Sequence, residues 1–306
     1  MTKIDLYHDN RGQLTGHYLC AVQMRGMILM LASVVLFAGV NTCIKFLSDL
    51  PTHELVFFRS VVQLVLSAGF VLNAGITFFG NNRSWLILRG VAGMTALFLF
   101  FYTLQNMPLA SATTIQYLSP IFTVILAIFI NRERVRPVQW IFFGIAFAGV
   151  MLIKGFDPRV TLWLLGAGVL SALLSGVAYN AIMRCKYTDH PVTIVMYFHL
   201  IAVPVMGLWT WFDWVMPTPR DWFLLLIIGI LSQFAQVFMA RALHADKAAK
   251  VTPFKYVGAV FAVVIGYTVF DEKLHWLSIF GIGLVLIGVL LNAKVKTIRA
   301  VSSTGG

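Results

Sequence analysis

Ten apolar runs of membrane-spanning length, separated by short polar breaks, constrain this chain more than any other feature of it. They cover residues 27–46, 55–78, 85–105, 109–130, 138–153, 161–183, 191–212, 222–243, 251–270 and 274–292. A helix crosses about 30 Å of hydrocarbon with about 20 residues and bonds its own backbone in the absence of water, so each run is read as a transmembrane helix. The breaks carry charge and turn residues, as in Asp49-Leu50-Pro51, Gly80-Asn81-Asn82-Arg83, Asn131-Arg132-Glu133-Arg134, residues 213–221 and Asp271-Glu272-Lys273. With 59% apolar and 11% charged residues, the chain has too little polar surface to cover a soluble domain.

The net charge of +11 follows the breaks. Fourteen basic residues outside the runs fall on the side of the N-terminus, and four, Lys154, Arg159, Arg220 and Lys273, on the other. The positive-inside rule then places both termini in the cytoplasm, and no nucleic-acid partner is expected. Residues 1–26 hold His8, Arg11 and His17 and no apolar core, so they are expected to form a cytoplasmic tail rather than a signal peptide. Trp85, Trp140, Trp163, Trp222 and Trp276 lie near run ends, as interfacial anchors do. Cys20, Cys43 and Cys185 make neither a disulfide framework nor a metal motif. No HExxH, GxSxG or intramembrane cluster of His and carboxylates is present, so no enzyme, cofactor or metal is expected.

Shifting the sequence against itself by 139 residues aligns Asn41 with Asn180, Lys45 with Arg184, Thr113 with Thr252 and Tyr117 with Tyr256. The same shift aligns Glu133 with Glu272, Gly144 with Gly283 and Gly149 with Gly288. Polar pairs at one offset indicate duplication. Five spans per half turn the second copy upside down. The expected fold is therefore an all-α integral membrane protein of ten transmembrane helices, built as two inverted-topology five-helix repeats. The first repeat is 27–153, the linker 154–160, the second repeat 161–293 and a cytoplasmic C-terminal tail 294–306. Two inverted halves around one site suit alternating access, which neither a channel nor an enzyme needs.

The residues also resemble a known family. Phe58-Arg59, Leu88-Arg89-Gly90, Ala110-Ser111-Ala112, Ser119-Pro120 and Asn131-Arg132-Glu133-Arg134 mark the first half. Arg241-Ala242-Leu243, Ala248-Ala249-Lys250-Val251 and Asp271-Glu272-Lys273-Leu274 mark the second. In this order, over nearly the whole chain, they resemble the EamA family of the drug/metabolite transporter superfamily. The resemblance implies a carrier of amino acids, nucleoside-like metabolites, sugars or drugs, with a cavity between helices one to four and six to nine. One branch with a similar Phe-Arg and Leu-Arg-Gly pattern carries S-adenosylmethionine.

All twelve acidic residues fall in tails or breaks, whereas Lys45, Arg59, Arg89, Arg241 and Lys255 fall inside runs. Lys45 and Arg241 lie near run ends and are expected to snorkel. Arg59, Arg89 and Lys255 are each fifth in their run, where snorkelling and cavity lining stand as equal readings. Lining a cavity with no carboxylate partner, they suit a substrate carboxylate or phosphate. Gln116-Tyr117 and Lys255-Tyr256 form a symmetric second constellation beside Pro120 and Pro253, whose prolines free carbonyls that need a partner or mark packing kinks. Asn41 and Asn180 are read first as interhelical hydrogen-bonding residues. Tyr102, Tyr179, Tyr197, His199 and Gln233 are further lining candidates, each singly also compatible with packing. Gly144, Gly149, Gly283 and Gly288 read as close-packing positions. The expected partners are a small-molecule substrate, anionic or zwitterionic, and the lipid bilayer, with the chain a monomer or weak homodimer. The expected location is a bacterial inner membrane. The rival reading is a lipid or drug exporter or flippase of the same fold.

Overall fold

The computed structural model describes residues 16–74, 80–130, 133–134, 136–185, 188–189, 191–245, 252–294 and 298–299. Asn131, Arg132 and the Ala248-Ala249-Lys250-Val251 motif, and most of both tails, lie outside the described residues. The elements in chain order are α1 (Gly16–Phe46), α2 (Thr52–Ala74), α3 (Arg83–Asn106), α4 (Leu109–Gln116), α5 (Ser119–Ile130) and β1 (Glu133–Arg134). They continue with α6 (Pro137–Phe156), α7 (Leu162–Cys185), α8 (Pro191–Phe212), α9 (Pro219–Ala245) and a 3-10 segment (Thr252–Tyr256). The chain ends with α10 (Val257–Phe270), α11 (Trp276–Lys294) and β2 (Ile298–Arg299).

Among the described residues, nine segments are helical, long and apolar enough to span a membrane, with α4 and α5 together forming one of them; Phe254–Phe270 is a shorter tenth. The protein is an all-helical integral membrane protein; its only described strands are the two-residue pair β1 and β2, antiparallel to each other. That pairing brings the chain's last described residues to the α5–α6 turn, at what is termed here the proximal end. Pro137 starts α6 at a position where a missing N–H costs nothing, and Gln139 reaches back to the Arg136 N–H at 3.0 Å.

The main seams are preserved when the two halves are exchanged. Helix α6 lies on α11, and α2 on α8; each of these seams joins a span to its own repeat mate. The contact of α1 with α9 matches that of α7 with α3, and α2 with α9 matches α8 with α3. Hydrogen bonds repeat the pattern: Ser33 Oγ donates to the Ala235 carbonyl at 2.8 Å, and Ser171 Oγ to the Ala96 carbonyl at 2.7 Å. Such bonds hold helices together where lipid offers no hydrophobic drive.

The α6–α11 seam is a close backbone approach. A Cβ on Gly149 would come within 2.5 Å of the Gly281 carbonyl, and one on Gly288 within 2.7 Å of the Phe142 carbonyl. The expectation for Gly144 and Gly283 is corrected, because nothing lies within 4 Å of a Cβ at either; Gly281 takes the packing role instead. Gly281→Leu is therefore expected to cost about 1–3 kcal/mol or more by overpacking, read as a lowered Tm in detergent, whereas Gly283→Ala leaves Tm unchanged.

The distal end, opposite the termini, is stitched shut. Lys45 Nζ lies 2.7 Å from Glu272 Oε1 and donates to the Met107 carbonyl at 2.6 Å, while Glu272 Oε2 accepts from the Leu109 N–H at 2.8 Å. Lys45 thus does not snorkel; its ammonium, only 13% exposed, is paired with a carboxylate from the other half. Gln105 donates to the carbonyls of Leu47 and Leu50, and Arg159 to that of Lys273. The Asp157 carboxylate beside Arg159 holds that guanidinium above its already high ordinary value. One acid also enters a span: Glu54, expected in a break, sits buried in the first turn of α2 and accepts from the Val215 N–H at 2.6 Å. At the proximal end the apolar packing divides. Leu86, Cys185, Ile194 and Tyr197 join α3, α7 and α8, whereas Met30 and Ala242 join α1 and α9 with Phe254 of the 3-10 segment.

Candidate functional site

Three cations and a histidine occupy the middle of the bundle. Arg59 is the eighth residue of α2 and Arg89 the seventh of α3, each about 10 Å along its helix and entering from opposite ends. The Arg59 side chain is buried, donates from Nε to Ser232 Oγ at 3.0 Å and lies over the Phe101 ring at 5.7 Å; its Nη1 has no partner. Arg89 lies over Phe198 at 5.1 Å, and its Nε is buried without a partner. The two guanidiniums are close enough to repel one another, and both act on His199, which is fully buried with neither ring nitrogen bonded. Ring faces offset part of the cost of burying a cation, but they leave its N–H groups unmet.

Tyr179 on α7 connects this group to the third cation. It interacts with both Arg89 and Lys255, the Lys255 Nζ lies 5.8 Å from its ring centre, and 38% of its surface stays accessible. Lys255 is not five residues into a helix, as expected, but in the 3-10 turn that precedes α10. The fourth span is broken in the matching place, between α4 and α5, so Tyr117 and Tyr256 stand at equivalent interruptions. Their rings meet edge to face at 5.2 Å, and the Tyr117 hydroxyl donates to the Lys255 carbonyl at 3.2 Å. Pro120 is the second residue of α5 and Pro253 lies in the 3-10 segment, so each proline starts a helical segment rather than kinking one.

The remaining candidates divide. Gln116 donates to Ser175 and accepts from Ser171, which ties α4 to α7. Asn180 donates to the carbonyls of Thr123 and Gly176 across the α5–α7 contact, while Asn41 is half-buried on α1. Gln233 on α9 keeps a buried Oε1 without a partner. Two tyrosines stand apart from the cations. Tyr197 packs in the proximal α3–α7–α8 cluster, and Tyr102 lines a distal cleft of about 350 Å³ with His53, Gln105 and Asp213. Phe101, Phe198 and Ser232 contact the guanidiniums and carried no signal in the sequence, being ordinary membrane-helix residues.

Gly93 also belongs to the site. A Cβ there would land on the Arg89 guanidinium and against Phe198. Gly93→Ala is expected to leave Tm nearly unchanged, because the end of a flexible side chain can move. Transport should nevertheless fall by about 10- to 100-fold through misplacement of Arg89, as initial rates in proteoliposomes would record.

The EamA-like transporter family model matches residues 24–155 and again 161–293. The chain belongs to this family. Among EamA-like relatives, the pseudopaline exporter CntI of Pseudomonas aeruginosa is 31% identical over 89% of this chain and 96% of its own length. Human solute carrier family 35 member G1 is 29% identical over 84% of this chain and 75% of its own. The S-adenosylmethionine uptake transporter of Rickettsia prowazekii is 24% identical over 81% and 85%. A crystal structure with a TM-score of 0.58 and 19% identity covers 90% of this chain and 97% of its own, which shows a shared fold. This EamA protein is a membrane transporter, not an enzyme.

Proposed function

We propose that the chain is a secondary-active carrier of a small anionic or zwitterionic metabolite, amino-acid-like or nucleoside-like, bound between its halves and exposed to each side in turn. The observation that supports this reading most is the set of a buried Arg59 and half-buried Arg89 and Lys255 on the spans, with no carboxylate against any of them among the described residues. An unpaired buried cation costs several kcal/mol, and such a cost is kept where a ligand removes it. The described acids near the spans are engaged elsewhere: Glu54 on Val215, Glu272 on Lys45 and Asp189 on the Asn81 N–H. The relatives include an exporter and an uptake transporter, which fits metabolite transport and leaves its direction open.

Alternating access is supported by the matched main seams of the two halves, α1 on α9 with α7 on α3 and α2 on α9 with α8 on α3. The conformation has its stitched end distal and its divided packing proximal. With the termini cytoplasmic by the positive-inside count, it corresponds to a carrier closed to the outside. We place the chain in a bacterial inner membrane as a monomer or weak homodimer. Uptake into proteoliposomes across amino acids, nucleosides and lipids tests the reading. Saturable movement of an anionic or zwitterionic metabolite supports it, and movement of lipid or cationic drugs alone overturns it.

A further inference from the structure

The unmet hydrogen-bonding capacity of the site has two centres. On one side Arg59 Nη1, Arg89 Nε and both nitrogens of His199 are buried without partners, on α2, α3 and α8. On the other side Lys255 faces the accessible ring of Tyr179, with the buried Tyr256 hydroxyl next to it in the chain also unpartnered. Tyr179 links the two centres: Lys255 Nζ lies 5.8 Å from its ring centre, and Arg89 is within electrostatic reach of it. A single carboxylate would offset one of three charges and leave the lysine without a counter-charge. Two anionic groups separated by a short linker would meet both.

We infer that the substrate carries at least two anionic groups, carboxylate or phosphate, one held by Arg59, Arg89 and His199 and the other by Lys255 and Tyr179. This rests on the proposed carrier reading and narrows it. The guanidinium forks suit bidentate oxyanions, and the lysine serves as a point charge for the second group. The geometry disfavours substrates whose only net charge is positive, since no described carboxylate faces the space.

The inference can be tested on the purified full chain by thermal shift and by competition for counterflow in proteoliposomes. The probes are acetate and butyrate, succinate and glutarate, citrate, inorganic phosphate and glycerol 3-phosphate. Dicarboxylates or citrate should bind at least about tenfold more tightly than monocarboxylates, a difference of about 1.4 kcal/mol. Lys255→Gln should remove that preference, while Arg59→Gln should weaken both classes. Tight binding of inorganic phosphate or glycerol 3-phosphate, each with a single anionic group, beside weak dicarboxylates would show that one phosphate satisfies the site and would overturn the two-anion inference while leaving the anionic carrier standing. Equal binding of mono- and dicarboxylates, lost in Arg59→Gln, would overturn the two-anion inference and leave the anionic carrier standing. No response to any anion, beside transport of neutral or cationic solutes, would remove both. Thermal shift on each variant separates lost binding from lost folding.

Discussion

Replacing Arg59 or Arg89 with Met is expected to cut transport by about 100-fold or more while leaving the protein at least as thermally stable as the parent. Each guanidinium is held by a cation–π contact, and Arg59 by one further hydrogen bond, with buried N–H groups unmet. A desolvated charge–charge contact to a ligand is worth about 2–5 kcal/mol, which sets the size of the loss. An apolar chain of similar volume avoids the burial cost, so Tm should hold or rise by a few degrees, as when function is traded for stability. Proteoliposome rates and thermal unfolding of the same preparations check both halves of this. A variant that transports normally but unfolds earlier would show that the guanidiniums bind helices together rather than substrate.

The second large effect concerns the distal end. Lys45→Ala or Glu272→Ala leaves a buried charge without its partner, for side chains only 13% and 7% exposed. Breaking such a pair costs about 3–5 kcal/mol, and the loss is shared because Glu272 also holds the Leu109 N–H. The double variant Lys45→Met with Glu272→Leu should recover most of the stability lost by either single change, since no orphaned charge remains. If each single change lowers Tm as little as the double does, the pair contributes nothing beyond its surface.

The number of helices and the doubling were legible because apolar length and an offset of 139 are properties of the chain itself. The placement of Lys45 was not. Its position near a run end favours snorkelling, and only the fold reveals a carboxylate 227 positions away in sequence at 2.7 Å. Glu54 departs from its expected break for a related reason: α2 begins at Thr52, three residues before the apolar run, and draws the acid into its first turn. The prolines marked the interrupted spans, but the interruptions themselves fall at Tyr117 and at the 3-10 turn, where no single residue type announces them. Aromatic residues carried the least positional information. Tyr179 and Tyr197 look alike in sequence, yet one faces two cations and the other fills a packing cluster, because which side of a helix meets its neighbours is set by tertiary contact.

A structure of the protein with its transported substrate bound tests the account most directly. Ligand density is expected between the two halves, with oxyanions against Arg59 and Arg89 and the body of the molecule reaching Tyr179 and Lys255. Substrate seated in the distal cleft beside His53 and Asp213, with the three interior cations untouched, would contradict it.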